Sequence, residues 1–230
     1  MLTNPQPTTT NTPRTGFETR QRLSVALTFD DGYLDHYRIA QLLYRRRISA
    51  TFFLITGLSS WKNKRLLTMR PNLIRRMKRM NHEVASHTQT HPNLLHMTNE
   101  QVHWELQSSK EYLASLLDEQ VEGFAYPYGK CDERIVRITS NYYSYARTAS
   151  ELKKRSRYQL PILHPGLSLR VSTPLMTKRL IRGNDFAIIL LHSINQLSLR
   201  VWIEYLSLFH VRFAKLSEIV ASQYGLPVNA

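Results

Sequence analysis

From residue 23 onward the chain alternates short apolar, β-branched runs with segments of helical spacing, and this alternation restricts the fold more than any other feature. Residues 23–29 read as a strand, broken by Asp30-Asp31-Gly32. Residues 34–47 place Tyr37, Ala40, Leu43 and Tyr44 at helix spacing and end in three arginines, which suit a helix C-terminus. Strand-like runs return at 48–56, 83–86, 121–126, 142–148, 186–191 and 211–216. Helices are expected over 71–80, onward from a capping box at Thr98 and Gln101, over 134–140 and near 201–208. Residues 150–185, which contain Pro161, Pro165 and Pro174, read as a long excursion with short elements. Such alternation predicts a parallel sheet with helices outside, as a closed barrel or an open doubly wound sheet. Neither GxGxxG nor GxxxxGK[ST] occurs, which takes support from nucleotide-binding versions of the open sheet. In a barrel, chemistry gathers at the C-terminal ends of the strands.

Composition narrows the classes further. A chain of 230 residues, 42% hydrophobic, suffices for one packed domain but hardly for two. Residues 1–22, with Pro5, Pro7 and Pro13 among Thr and Asn, are expected to be a disordered tail, leaving a domain over 23–230. That tail lacks the basic start and apolar stretch of a secretory leader, and no run approaches the ~20 apolar residues of a membrane helix. The cytoplasm is therefore the default location. Cys131 is the single cysteine, so a metal would need His and carboxylate ligands. The net charge of +14 predicts attraction to an acidic polymer or anionic surface through a basic face. Residues 45–47, Arg75, Arg76, Lys78 and Arg79 are the basic clusters concerned, and no specific nucleic acid is implied.

Four short segments carry chemistry, and each follows a strand-like run. In Thr28-Phe29-Asp30-Asp31-Gly32, two adjacent carboxylates resist joint ionisation unless a cation neutralises one, which suits one metal ligand and one base. His87-Thr88-Gln89-Thr90-His91 places two imidazoles four residues apart, able to converge from a helix or a compact loop, with Thr88 free to brace that loop. Phe124-Ala125-Tyr126-Pro127-Tyr128-Gly129 would form a rigid aromatic wall and present a backbone N–H. Finally, the buried run 186–191 ends in His192. Taken singly, each has an ordinary structural explanation: a capping Asp, surface histidines, a packed aromatic turn or a satisfied core histidine. Together, Asp31, His87 and His91 form a two-histidine, one-carboxylate set, with Asp30 as base and His192 as acid for hydrolysis of an acyl bond.

The order TFDDG, HTQTH, YPYG and LH resembles the polysaccharide deacetylase family, also called the NodB-homology domain or carbohydrate esterase family 4, over about residues 23–216. The resemblance implies a distorted (β/α) barrel, a divalent metal (most often Zn2+), and removal of acetyl groups from an N-acetylglucosamine-containing glycan. Position by position it implies Asp30 as base, Asp31, His87 and His91 as ligands, and His192 as general acid. Tyr128 would offer an oxyanion-binding N–H, and Leu191, Tyr126 and Pro127 would border the acetyl group. Two positions depart from the family pattern. Ala125 stands where members often carry an Arg beside the base, and no Trp follows an Asp. Arg147, at the end of the fifth strand-like run, is the candidate replacement charge partner. Alternatives are a barrel that hydrolyses a non-sugar C–N bond and a non-catalytic basic barrel that binds polyanions such as nucleic acid.

Overall fold

The computed structural model describes residues 23–149, 162–163, 167–168 and 186–225. The expected tail over 1–22 and most of the 150–185 excursion lie outside these residues. Strand β1 (Ser24–Phe29) leads to α1 (His36–Arg45), which buries Ile39, Ala40, Leu42 and Leu43 on one stripe. Strand β2 (Thr51–Leu54) follows, then an antiparallel hairpin of β3 (Ser60–Trp61) and β4 (Lys64–Arg65) that the sequence pattern did not reveal. Next come α2 (Pro71–Arg79), begun by its proline, and β5 (Glu83–Ser86). Helix α3 (Asn99–Leu117) opens on the expected box, with Thr98 and Gln101 each accepting the other's backbone N–H. Then come β6 (Gly123–Ala125), α4 (Glu133–Thr139), β7 (Tyr145–Arg147), β8 (Ile162–Leu163) and β9 (Leu167–Ser168). The chain continues through β10 (Phe186–Leu191), α5 (Gln196–Ser207), β11 (Arg212–Phe213) and α6 (Leu216–Tyr224). The strand expected over 211–216 is thus only two residues long; Leu216, Ile219 and Val220 follow at helix spacing instead and are buried.

The main sheet runs β8-β7-β6-β5-β2-β1-β10-β9 with every pairing parallel. One edge of β1 is shared: β11 pairs with Ser24 and Val25, and β2 with Thr28 and Phe29. The sheet curls into a distorted (β/α) half-barrel, as expected. Val25, Leu27, Phe29, Phe52 and Leu54 face the helices outside, where a buried leucine or phenylalanine contributes roughly 1.5–3 kcal/mol. The inner face is lined by small residues, Ala26, Ala85 and Ala125, beside Phe53 and Ile188. Those alanines leave room for Leu216, Ile219 and Val220 of α6 to enter the barrel.

Helix α6 is seated at the N-terminal ends of the strands. The Leu216 N–H donates to Thr51 Oγ1 (2.9 Å) and the Ser217 N–H to Glu83 Oε2 (3.1 Å), which satisfies two otherwise unpaired donors of the helix start. One mouth of the half-barrel is therefore filled, and the site lies at the other. No described helix is long and apolar enough to cross a membrane.

Candidate active site at the strand C-termini

Three of the four segments singled out in the sequence leave the C-terminal end of a strand through a left-handed backbone. Asp31 (φ 72°), Thr88 (φ 70°), His91 (φ 60°) and Tyr128 (φ 58°) all occupy a region that costs a residue with a Cβ on the order of 1–3 kcal/mol. Surrounding contacts hold them there. Gly32 turns at φ 71° against Leu54, where a Cβ would meet the Leu54 side chain at 2.8 Å. Gly129 turns at φ 65°, where a Cβ would lie 2.3 Å from the Ala149 nitrogen.

The histidine segment is a loop rather than a helix. Its backbone continues beside β2, with the Thr56 and Gly57 N–H groups donating to Thr88 and Gln89 carbonyls at 3.1 and 2.7 Å. Thr88 braces it, accepting the His91 N–H at 3.0 Å and donating to the His87 carbonyl. Glu105 of α3, fully buried, accepts the Gln89 and Thr90 N–H groups (both 2.8 Å) and the Thr90 hydroxyl. The visible trace of that role is a carboxylate on a helical stripe shared with Val102, Leu106, Ser109 and Leu113; sequence reasoning missed it.

Three donor atoms converge as a result. Asp31 Oδ1 lies 3.6 Å from His87 Nε2 and 3.5 Å from His91 Nε2, and the two nitrogens are 3.2 Å apart. Ligands in a tetrahedron around zinc, about 2.0–2.1 Å from the ion, are about 3.3 Å apart, so this triangle has the dimensions of one tetrahedral face. Protonation agrees with that use. His87 Nδ1 sits 2.8 Å from the Ala125 carbonyl, which can only accept, so Nδ1 carries the proton and Nε2 presents a lone pair. Tyr33 donates its hydroxyl to Asp31 Oδ2 at 2.6 Å, leaving Oδ1 buried without a protein partner. Burial lowers both imidazoles, His91 to about 3, and so keeps them neutral. Bare acceptors packed this closely fit a dication.

Asp30 lies alongside, 4% exposed, and its Oδ1 accepts from Arg147 Nη2. Burial alone would raise its carboxyl; Arg147, through its charge and its hydrogen bond, chiefly outweighs this and leaves it below the ordinary 3.8. Arg147 is itself 1% exposed, also donates to the Thr148 carbonyl (3.0 Å), and stacks over Phe53 at 4.9 Å. Its placement explains Ala125. Ala125 and Arg147 are register partners on β6 and β7, so their side chains project from the same face. Two guanidiniums opposite each other there would repel, whereas Ala125 leaves the space to Arg147.

The remaining expected residues divide. Exposed His192 follows β10, and its carbonyl lies 2.7 Å from Nε2 of buried His36, which fixes its backbone. His192 and Leu191 border a cleft of about 800 Å³ together with Tyr33, Lys62, Lys64 and Trp202. Tyr128 is half exposed, its ring 4.8 Å from His91, and its N–H has no protein partner among the described residues. Buried Pro127 precedes it. Tyr126 is placed differently from the expectation: it lies in the outer core, edge-on to Phe124 at 5.0 Å, because it faces the opposite side of its strand from Ala125. Sequence reasoning also missed Tyr33, His36 and Trp61, whose ring packs 4.7 Å from His91.

A parallel half-barrel with two imidazoles and a carboxylate gathered at its strand C-termini, beside a second carboxylate paired with arginine, defines a (β/α)-barrel protein with a compact His/carboxylate centre. The sequence profile of the polysaccharide deacetylase family matches residues 18–145, and the chain belongs to that family. It is 32% identical over 121 residues to a chitooligosaccharide deacetylase of Sinorhizobium fredii, covering 51% of this chain and 53% of that protein. It is 31% identical over 99 residues to the peptidoglycan-N-acetylmuramic acid deacetylase PdaA of Bacillus subtilis, covering 42% and 35%. The chain thus spans about half or less of the length of these relatives. Among solved structures, a family 4 carbohydrate esterase from Bacillus anthracis superposes with a TM-score of 0.65 at 23% identity, covering 89% and 85%. A family 4 pseudoenzyme from the same organism does so with 0.64 at 20%, covering 86% and 66%. These likenesses bear on the fold.

Proposed function

We propose that the chain is a metal-dependent deacetylase that hydrolyses the acetamide of an N-acetylated amino sugar in a glycan. The convergence of three buried ligand atoms beside the Asp30–Arg147 pair carries this reading. A dication held by Asp31, His87 and His91, zinc by the donor set, would polarise the amide carbonyl. Asp30, kept ionised and aimed by Arg147, takes a proton from the attacking water. The Tyr128 N–H donates to the carbonyl oxygen as it gains charge. His192 protonates the departing nitrogen, so the C–N bond breaks to give acetate and a free amine. Leu191 and Pro127 offer the methyl group apolar neighbours.

The matched relatives, named for chitooligosaccharide and peptidoglycan, support an N-acetylated amino sugar as the substrate. The test is acetate release from chito-oligosaccharide by the parent and by Asp30→Asn, with chelator and zinc add-back. Loss of a general base is expected to slow release on the order of 10²–10⁴-fold. Equal release by the two proteins would remove Asp30 from its role, and full activity after complete chelation would remove the metal.

A further inference from the structure

The cleft beside His192 is roofed by the β3–β4 hairpin, which brings two ammonium groups to it. Lys62 and Lys64 both border the cleft, together with Tyr33, His192, Ser193 and Trp202 among others. Lys64 Nζ donates to Ser193 Oγ at 2.8 Å and lies 4.9 Å from the centre of the Tyr33 ring. One of its three protons is thereby used, and the group is held across the cleft. Lys62 Nζ stands 5.8 Å from the Trp61 ring, and that same ring packs against His91 at 4.7 Å. Among the described residues neither lysine is ion-paired. The two carboxylates of the site are already engaged, Asp30 with Arg147 and Asp31 with Tyr33.

The hairpin turn adds a second observation. Lys62 (φ 47°) and Asn63 (φ 60°) are both left-handed, a turn that favours Asn-Gly over Lys-Asn. A lysine is thus held at a position where its backbone is disfavoured, at the edge of the cleft. Trp61 Nε1, buried and without a protein partner, provides a further donor on the same hairpin.

We infer that this cleft is a subsite for an anionic substituent of the substrate, a carboxylate or phosphate on the glycan whose acetamide meets Asp30, bound by Lys62 and Lys64. Two unpaired ammonium groups in one cleft repel each other and any cationic ligand, whereas an anion between them gains charge-assisted hydrogen bonds. This inference rests on the deacetylase reading and narrows it from N-acetylated amino sugars in general to anionic ones.

The experiment measures kcat/KM for acetate release from three probes: neutral chitotetraose, an N-acetylglucosamine–N-acetylmuramic acid oligomer (carboxylate) and a 6-phosphorylated chito-oligosaccharide (phosphate). The parent, Lys62→Gln/Lys64→Gln and the charge-keeping Lys64→Arg are compared. Binding of the carboxylate oligomer to the Asp30→Asn protein is followed by calorimetry at low and high salt. The parent should favour an anionic probe, and which one it favours identifies the group. The double variant should lower the anionic-to-neutral selectivity ratio about ten- to a hundredfold, mainly through KM, with Lys64→Arg retaining most of it. Acetate release with no anion preference, or a preference that survives the double variant, overturns the subsite and leaves the deacetylase reading standing. Salt-sensitive, lysine-dependent binding without acetate release from any probe upholds the subsite and overturns the hydrolysis. Neither binding nor release overturns both.

Discussion

Replacing Arg147 with methionine keeps much of the side-chain volume and removes the guanidinium that faces Asp30. In the parent both groups are buried, at 1% and 4% exposure. The variant would leave a carboxylate out of water with no cation, which typically costs roughly 3–5 kcal/mol. Set against a total stability of about 5–15 kcal/mol, that is a large fraction. For a chain of this length it corresponds to a fall in Tm of roughly 6–20 °C. The Asp30 carboxyl would also titrate at higher pH. Burial raises the carboxyl and Arg147 is the main opposing influence, so without Arg147 the acid limb of the rate profile moves to higher pH. The assay is a double-mutant cycle by urea unfolding on the metal-free parent, Asp30→Asn, Arg147→Met and the double variant. A coupling on the order of 2–3 kcal/mol is expected, because Asp30→Asn removes the charge that Arg147→Met strands. Moving the guanidinium to its register partner, as Ala125→Arg/Arg147→Ala, should recover part of the activity lost in Arg147→Ala. If the single effects add to within about 0.5 kcal/mol, the pair does not hold Asp30 and the account of Ala125 fails with it.

Other parts of the molecule give independent expectations. The metal-free parent should take up one equivalent of Zn2+ in a calorimeter and gain about 2.7 kcal/mol of stability at a hundredfold excess over Kd, and His91→Ala should lose both; a parent that binds no zinc refutes the ligand set. Glu105→Gln puts an amide where two N–H groups and a hydroxyl now meet a carboxylate, so zinc affinity should fall roughly 10- to 100-fold while the fold is retained; unchanged affinity would mean the loop holds itself. His82 accepts the Ala50 N–H on Nδ1 (3.2 Å) and directs Nε2 to the Ala40 carbonyl (2.9 Å), so it is neutral in the fold, and burial lowers it from 6.5 to about 4. Its contribution is complete above pH 6.5 and declines towards pH 4 as the unfolded chain takes up the proton first, by up to about 3 kcal/mol. Urea midpoints of the parent and His82→Asn should therefore converge across that window, and parallel curves would refute it.

Local chemistry made much of this protein readable before any coordinates. The strands at 83–86 and 186–191 and the capping box at Thr98 depend on residues adjacent in the chain, so their positions followed from pattern alone. Asp30, Asp31, His87 and His91 were legible for the same reason, since two short segments carry them. What the sequence could not fix was which side chains those segments would meet. Arg147, singled out in the sequence only as a candidate charge partner, lies 117 residues from Asp30, and Glu105, which the sequence did not single out, reaches the histidine loop from α3; both contacts are set by strand register and helix seating, not by neighbours in the chain. The hairpin that carries Lys62 and Lys64 is two residues deep on each side, too short to leave a periodic signal, and only packing against the site reveals it. Tyr126 shows the same limit, because the face a residue takes at the end of a strand decides between core and pocket, and only the folded sheet determines that face.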